Sequence, residues 1–163
     1  MLIRRIGLAF LCVLMGFLCT ACDPSMFEIP EPTPYAYDSM VRHKPGEVFE
    51  SIGFEISYIG VEVRDTLDDM TAAEGFDYYV FEFEYKNIYG QERNIYYGCF
   101  ACYADNTLTT QIYNYDGIIK GTLTETGQSA RGTVAFLVPE DAELVETIFQ
   151  YGMEDERLVF SVE

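Results

Sequence analysis

The sequence predicts an all-β fold, a β-sandwich of about seven to eight short strands occupying residues 44–163. Three observations carry this. Apolar and polar residues alternate with a period of two in several runs, the spacing that sends successive side chains to opposite faces of a strand. Turn signals fall between the runs at Pro45-Gly46, Tyr89-Gly90, Asp105-Asn106, Asp116-Gly117 and Glu125-Thr126-Gly127. The chain also holds 13 tyrosines and 12 phenylalanines, rings large enough to fill the space between two sheets. Short strands with regular turns over roughly 120 residues are the pattern of a sandwich, and that length suits one domain.

The elements follow in order. In Gly53 to Arg64 the phase changes: Phe54, Ile56 and Tyr58 share one parity, Ile59, Val61 and Val63 the other. A β-bulge near Tyr58 puts both sets on the core side. Thr66 to Glu74 lacks alternation and reads as a helix-like or loop stretch. Phe76 to Lys86 is the clearest strand, with Tyr79, Phe81, Phe83 and Tyr85 on one face and Glu82 and Glu84 on the other, which is expected to face water. Ile95 to Tyr103 reads as a further strand. Thr133 to Val138 alternates likewise through Val134, Phe136 and Val138. Pro139 to Ala142 suits a single helical turn with Asp141 near its start, and Leu158, Phe160 and Val162 form a short terminal strand.

Ahead of the domain stands an export signal. Arg4 and Arg5 precede an apolar run, Ile6 to Leu18, which leads into Cys19-Thr20-Ala21-Cys22. A basic start, a short apolar stretch and small residues before a cleavage point describe a secretory signal over residues 1–21. A cysteine directly after the small residues makes it a lipid-attachment signal. The run resembles the bacterial lipoprotein signal, which makes Cys22 the lipidated residue. The pattern departs from that signal at Cys19, which stands where a large aliphatic residue is usual. An uncleaved membrane anchor needs roughly 20 apolar residues, more than Ile6 to Leu18 supplies, and secretion without lipid is the other alternative. Residues 22–43, with Pro24, Pro30, Pro32 and Pro34, read as an extended tether. Twenty-one residues at about 3 Å each hold a domain some 60 Å from the membrane. The expected location is the extracytoplasmic face of the cell membrane, with a lipid anchor.

Charge narrows the partners. The net charge is −17, and loss of the signal with Arg4 and Arg5 makes it −19. Such acidity argues against nucleic acid, which demands basic patches, and against direct contact with anionic lipid headgroups. It suits a soluble, monomeric exported domain. Once the signal is removed and Cys22 is acylated, only Cys99 and Cys102 remain as thiols. Three apart on a strand, they face opposite ways, about 10 Å apart at Cα, too far for a disulfide; a break at Gly98 would make one possible. No helix pattern follows to build a redox C-x-x-C.

Chemistry-bearing residues are few. The one histidine, His43, falls in the expected tether and reads as a solvated linker residue. Ser-His-Asp and Cys-His catalysis need a histidine fixed in the fold, and zinc sites need more His and Cys than this. A carboxylate pair of the glycosidase kind needs a cleft, which a compact sandwich rarely provides. Asp65, Asp68, Asp69 and Glu74 gather in one loop, with Asp105-Asn106 and Asp116-Gly117 elsewhere, as weak candidates for calcium, which takes six to eight oxygens. No EF-hand spacing occurs, solvated acidic loops are the simpler reading, and no cofactor is implied. Tyr96, Tyr97, Tyr103, Tyr113 and Tyr115 crowd one part of the chain. They are expected to be mostly core, with one or two exposed as recognition surface.

Several runs carry a family resemblance. Pro45-Gly46-Glu47, Gly53-Phe54-Glu55-Ile56, the strand from Tyr79 to Asn87, and Gly132 to Ala142 follow in order and spacing the telokin-like domain found in lipoproteins of Gram-positive bacteria. The chain is similar also to a small secreted immunogenic β-sandwich protein of mycobacteria. The resemblance covers about Pro45 to Phe160 and implies an immunoglobulin-like sandwich with no catalytic or binding residue to carry over. The chain is therefore expected to be a non-catalytic binding or interaction module with a protein partner. The alternatives are an envelope spacer or accessory subunit and a small carboxylate-dependent hydrolase.

Overall fold

The computed structural model describes residues 41–151 and 157–163. Cys22, the export signal and most of the expected tether lie outside the described residues. Those described are almost wholly β. One sheet runs β10 (Thr110–Ile112), β12 (Ser129–Pro139), β6 (Phe76–Asn87), β3 (Phe54–Arg64) and β2 (Val48–Ser51), antiparallel throughout. The other runs β1 (Arg42–His43), β14 (Arg157–Ser161), β13 (Val145–Gln150), β8 (Phe100–Ala104) and β9 (Thr107–Leu108), with β1 parallel to β14 and the rest antiparallel. Two ribbons complete the set, β4 (Thr66–Leu67) with β5 (Met70–Thr71) and β7 (Arg93–Tyr96) with β11 (Lys120–Leu123). The fold is an all-β sandwich. Its strands outnumber the expected seven or eight because several are two or three residues long, too short to show a period.

The interior is aromatic. Phe83 and Tyr58 of the first sheet meet Phe160 of the second, with ring centroids 4.7 Å apart for Phe83–Phe160, 5.1 Å for Tyr58–Phe83 and 5.2 Å for Tyr58–Phe160. Such pairs add about 0.5–1.5 kcal/mol each beyond the area they bury. The Tyr58 hydroxyl donates to the Ser161 carbonyl at 2.8 Å, a hydrogen bond between the sheets.

The expected bulge is present. Tyr58 pairs with Phe83 and Gly60 with Glu82, which leaves Ile59 as the inserted residue. Val61 and Val63 then pair with Phe81 and Tyr79 on the core side; Val61 packs on the core, while Val63, farther out, is half exposed.

Five readings are corrected. The second face of β6 is only partly in water: Tyr78 and Val80 are buried there with Ala135 of β12, under Leu67 of the β4–β5 ribbon and Tyr115. Only the far half is solvated, where Glu55–Lys86 and Glu82–Arg131 pair across strands at 3.0 Å. Thr66 to Glu74 is this covering ribbon and its exit, turned at Asp68 with φ +50°. The run Ile95 to Tyr103 breaks at a 3-10 turn, Tyr97–Cys99, so that β7 joins a ribbon and β8 a main sheet. His43 is no solvated linker residue. It lies in β1, its ring stacked on Phe49 at 3.5 Å and its Nδ1 3.1 Å from a Glu47 oxygen, while neighbouring Arg42 pairs with the buried Glu146. The segment Pro139 to Ala142 is a turn closed by the Ala142 N–H on the Pro139 carbonyl at 3.2 Å.

Candidate functional site

Two surface features stand out, and both lie beside the segment that crosses from one sheet to the other between β9 and β10. The first is aromatic. Of the five crowded tyrosines only Tyr115 is core; Tyr97 and Tyr103 are half-buried, and Tyr96 and Tyr113 are exposed by 52% and 53%. Two exposed rings and three packed on buried clusters match the expectation; Tyr96 faces outward on β7, alternating with buried Ile95, and β10 ends before Tyr113. Tyr97 sits between its neighbours, 6.0 Å from the Tyr96 ring and 5.4 Å from that of Tyr113.

The backbone holds this group in place. A Cβ on Gly98 would lie 2.3 Å from Tyr96 Cε2, so the ring rests across a position only glycine leaves open. Gln111 Nε2 donates to the Tyr97 carbonyl at 2.7 Å. The outward face of the β7–β11 ribbon continues the surface with Asn94 and Thr122, the Thr122 hydroxyl bonded to Asn94 Oδ1 at 2.7 Å. Rings with two stiff torsions, flanked by amides and hydroxyls, make contact area at low entropic cost.

The second feature is a cavity of about 440 Å³ open to solvent. It lies where the β8–β9 hairpin meets the ends of β6 and β12. Its lining combines the apolar side chains of Phe76, Leu108, Leu137 and Pro139 with the carboxylates of Asp105 and Asp141. The hairpin turn is Asp105-Asn106, with φ +48° and +64°, the left-handed pair that a two-residue turn between antiparallel strands requires. Asp105 Oδ1 accepts the Leu144 N–H at 2.8 Å and Oδ2 the Glu143 N–H at 3.2 Å, which fixes the carboxylate.

The calcium candidates do not converge. Asp68 Oδ2 accepts the Asp116 N–H at 2.7 Å, and the Asp65 carbonyl accepts the Ala72 N–H at 2.8 Å, so this acidic segment ties the covering ribbon to the loop after Tyr115. Among the described residues no three His, Cys, Asp or Glu side chains gather to hold a metal ion. Cys99 and Cys102 are free thiols. Burial pushes the Cys102 thiol up to about 12 and also raises that of Cys99, where hydrogen bonds from Tyr96 partly offset it. Thiols held protonated are poor nucleophiles and poor metal ligands. Among the described residues no helix is long and apolar enough to cross a membrane.

Sequence comparison finds no matching family model and no matching characterised protein. Structure comparison does find relatives. The fold recurs in solved structures of bacterial proteins. The ycdA protein of Bacillus subtilis, described as a candidate lipoprotein, superimposes with a TM-score of 0.60 at 14% identity over 71% of this chain, which spans 38% of ycdA. The yjhA protein of the same organism gives 0.57 at 12% identity, covering 74% of this chain and 99% of yjhA. MPT63, a secreted protein of Mycobacterium tuberculosis, gives 0.54 at 13% identity, covering 75% of this chain and 97% of MPT63. Likeness at these identities establishes a shared fold.

Proposed function

We propose that the chain is a non-catalytic extracytoplasmic lipoprotein of telokin-like, immunoglobulin-like type, anchored at the membrane through Cys22, whose sandwich is a binding module for a protein at the cell surface. The observation that carries this reading is the exposed Tyr96–Tyr97–Tyr113 surface. Exposed aromatic rings cost solvation, and here Gly98 leaves room for the Tyr96 ring while Gln111 ties down the Tyr97 backbone; interfaces favour tyrosine. The candidate-lipoprotein and secreted descriptions of two fold relatives support the location. The non-catalytic half is supported by a histidine occupied in ring stacking and by thiols held protonated.

The test is co-purification of the full-length chain from native membranes after crosslinking. The wild-type chain retrieves one partner in stoichiometric amount, and Tyr96→Ala/Tyr113→Ala retrieves it at least about tenfold less, as expected for loss of interface anchors. Equal retrieval by both chains contradicts the tyrosine surface. An envelope spacer would retrieve no stoichiometric partner at all.

A further inference from the structure

We propose that the cavity beside the β8–β9 hairpin binds a lysine or arginine side chain presented by an extended peptide. This rests on the reading of the domain as a binding module and adds a second contact with a defined ligand chemistry. A volume of about 440 Å³ falls in the range of sites that hold a small organic group. Part of its lining is apolar, with Phe76 exposed by 37% and Leu108 by 62%. These surfaces suit the aliphatic stem of a long side chain, which gains by leaving water.

The lining is also anionic: it includes Asp105 and Asp141 and contains no lysine, arginine or histidine. Asp105 keeps its charge in one place because both its oxygens are held by backbone N–H groups, and each oxygen retains a lone pair for a further donor. Asp141 is exposed and, among the described residues, makes no ion pair. The lining thus offers a cation two carboxylates and no competing positive group, and the chain's net charge of −17 draws cations toward it from a distance.

The strand order argues for an extended peptide. The two-residue β9 ends its sheet, and among the described residues no strand pairs with its outer edge, which suits strand addition, a mode in which main-chain hydrogen bonds give affinity and a neighbouring pocket reads a side chain.

The experiment uses the full-length chain in a non-ionic detergent with two labelled peptides, acetyl-Leu-Lys-Leu-Lys-Leu-amide and its glutamate counterpart, read by fluorescence anisotropy. The lysine peptide is expected to bind at least tenfold more tightly than the glutamate one. Asp141→Lys, at an exposed turn position, is expected to weaken the lysine peptide at least tenfold with unchanged circular dichroism and melting temperature. Tyr96→Ala/Tyr113→Ala is expected to leave this affinity unchanged. Equal binding of the two peptides, or insensitivity to Asp141→Lys, overturns the proposal. Loss of binding in the tyrosine variant alone also overturns it, and moves the contact to the aromatic surface, where the binding-module reading still stands. No peptide binding alongside tyrosine-dependent partner capture refutes the cavity and leaves the module intact.

Discussion

Asn87 is fully buried at the end of β6 with all its side-chain hydrogen-bonding positions in use. Its Nδ2 donates to the Gln91 carbonyl at 2.7 Å and the Leu123 carbonyl at 3.2 Å, while Oδ1 accepts the N–H groups of Tyr89 and Gly90 at 3.0 and 3.1 Å. One side chain thus organises two loops. Asn87→Ala strands these partners and is expected to cost about 3 kcal/mol, from roughly 1 kcal/mol per bond plus buried groups left unpaired; urea unfolding measures it. The sequence marks Asn87 only as the end of an alternating run, because partners this close in space lie as far along the chain as Leu123. Gly132 is similar. A Cβ there would lie 2.8 Å from the Gly117 carbonyl oxygen and the Ile119 Cα, a close crossing of two backbones that nothing near Gly132 in the chain announces.

At the scale of elements, phase was readable and coverage was not. The change of parity at Tyr58 marks the bulge because side chains on a strand have only two directions. Deleting Ile59 removes the inserted residue and leaves Val61 opposite Phe81 on the core side, so the deletion is expected to be tolerated where Val61→Ser is not. For Val61→Ser the expected cost is about 1 kcal/mol, that of losing one half-buried apolar side chain, seen as a lower denaturation midpoint with an unchanged slope. The Asp105-Asn106 turn was equally legible, since both residues tolerate the left-handed region. The break at Tyr97–Cys99 was not: the residues from Ile95 to Tyr103 are good strand formers throughout, and what divides them is tertiary, with β7 pairing to β11 and β8 to β13. The same holds for β6, where Tyr78 and Val80 look like outward residues until the β4–β5 ribbon folds over them. The tyrosine surface was legible as a cluster. Which two rings stay exposed was not, because Tyr96 lies on the β7–β11 ribbon rather than a main sheet and Tyr113 lies beyond the end of β10.

For the whole molecule, a core rich in hydroxyl-bearing rings makes stability fall at high pH. Burial raises the hydroxyl of Tyr58 and of Tyr85 above the ordinary 10.0, and the Cys102 thiol from 9.0 to about 12. The folded chain therefore holds protons that the unfolded chain releases, so this contribution is complete below about pH 9 and is lost as pH rises toward 12. Urea midpoints are expected to be level from pH 7 to 9 and to drop steeply by pH 11. Tyr85→Phe should blunt that drop, and should not destabilise at neutral pH, because the Tyr85 hydroxyl is buried without a hydrogen-bond partner among the described residues. The sandwich itself was legible at this scale, since periodicity, turns and ring content all agree.

The central claim is that this sandwich presents its tyrosine surface to a protein partner at the cell surface. Site-specific photocrosslinking in living cells tests it most directly, with a benzophenone amino acid placed at Tyr113 in one strain and at Val63, exposed by 50%, in another. The account predicts one discrete crosslinked product from position 113 and none from position 63. No product from position 113, or the same product from both, would contradict it.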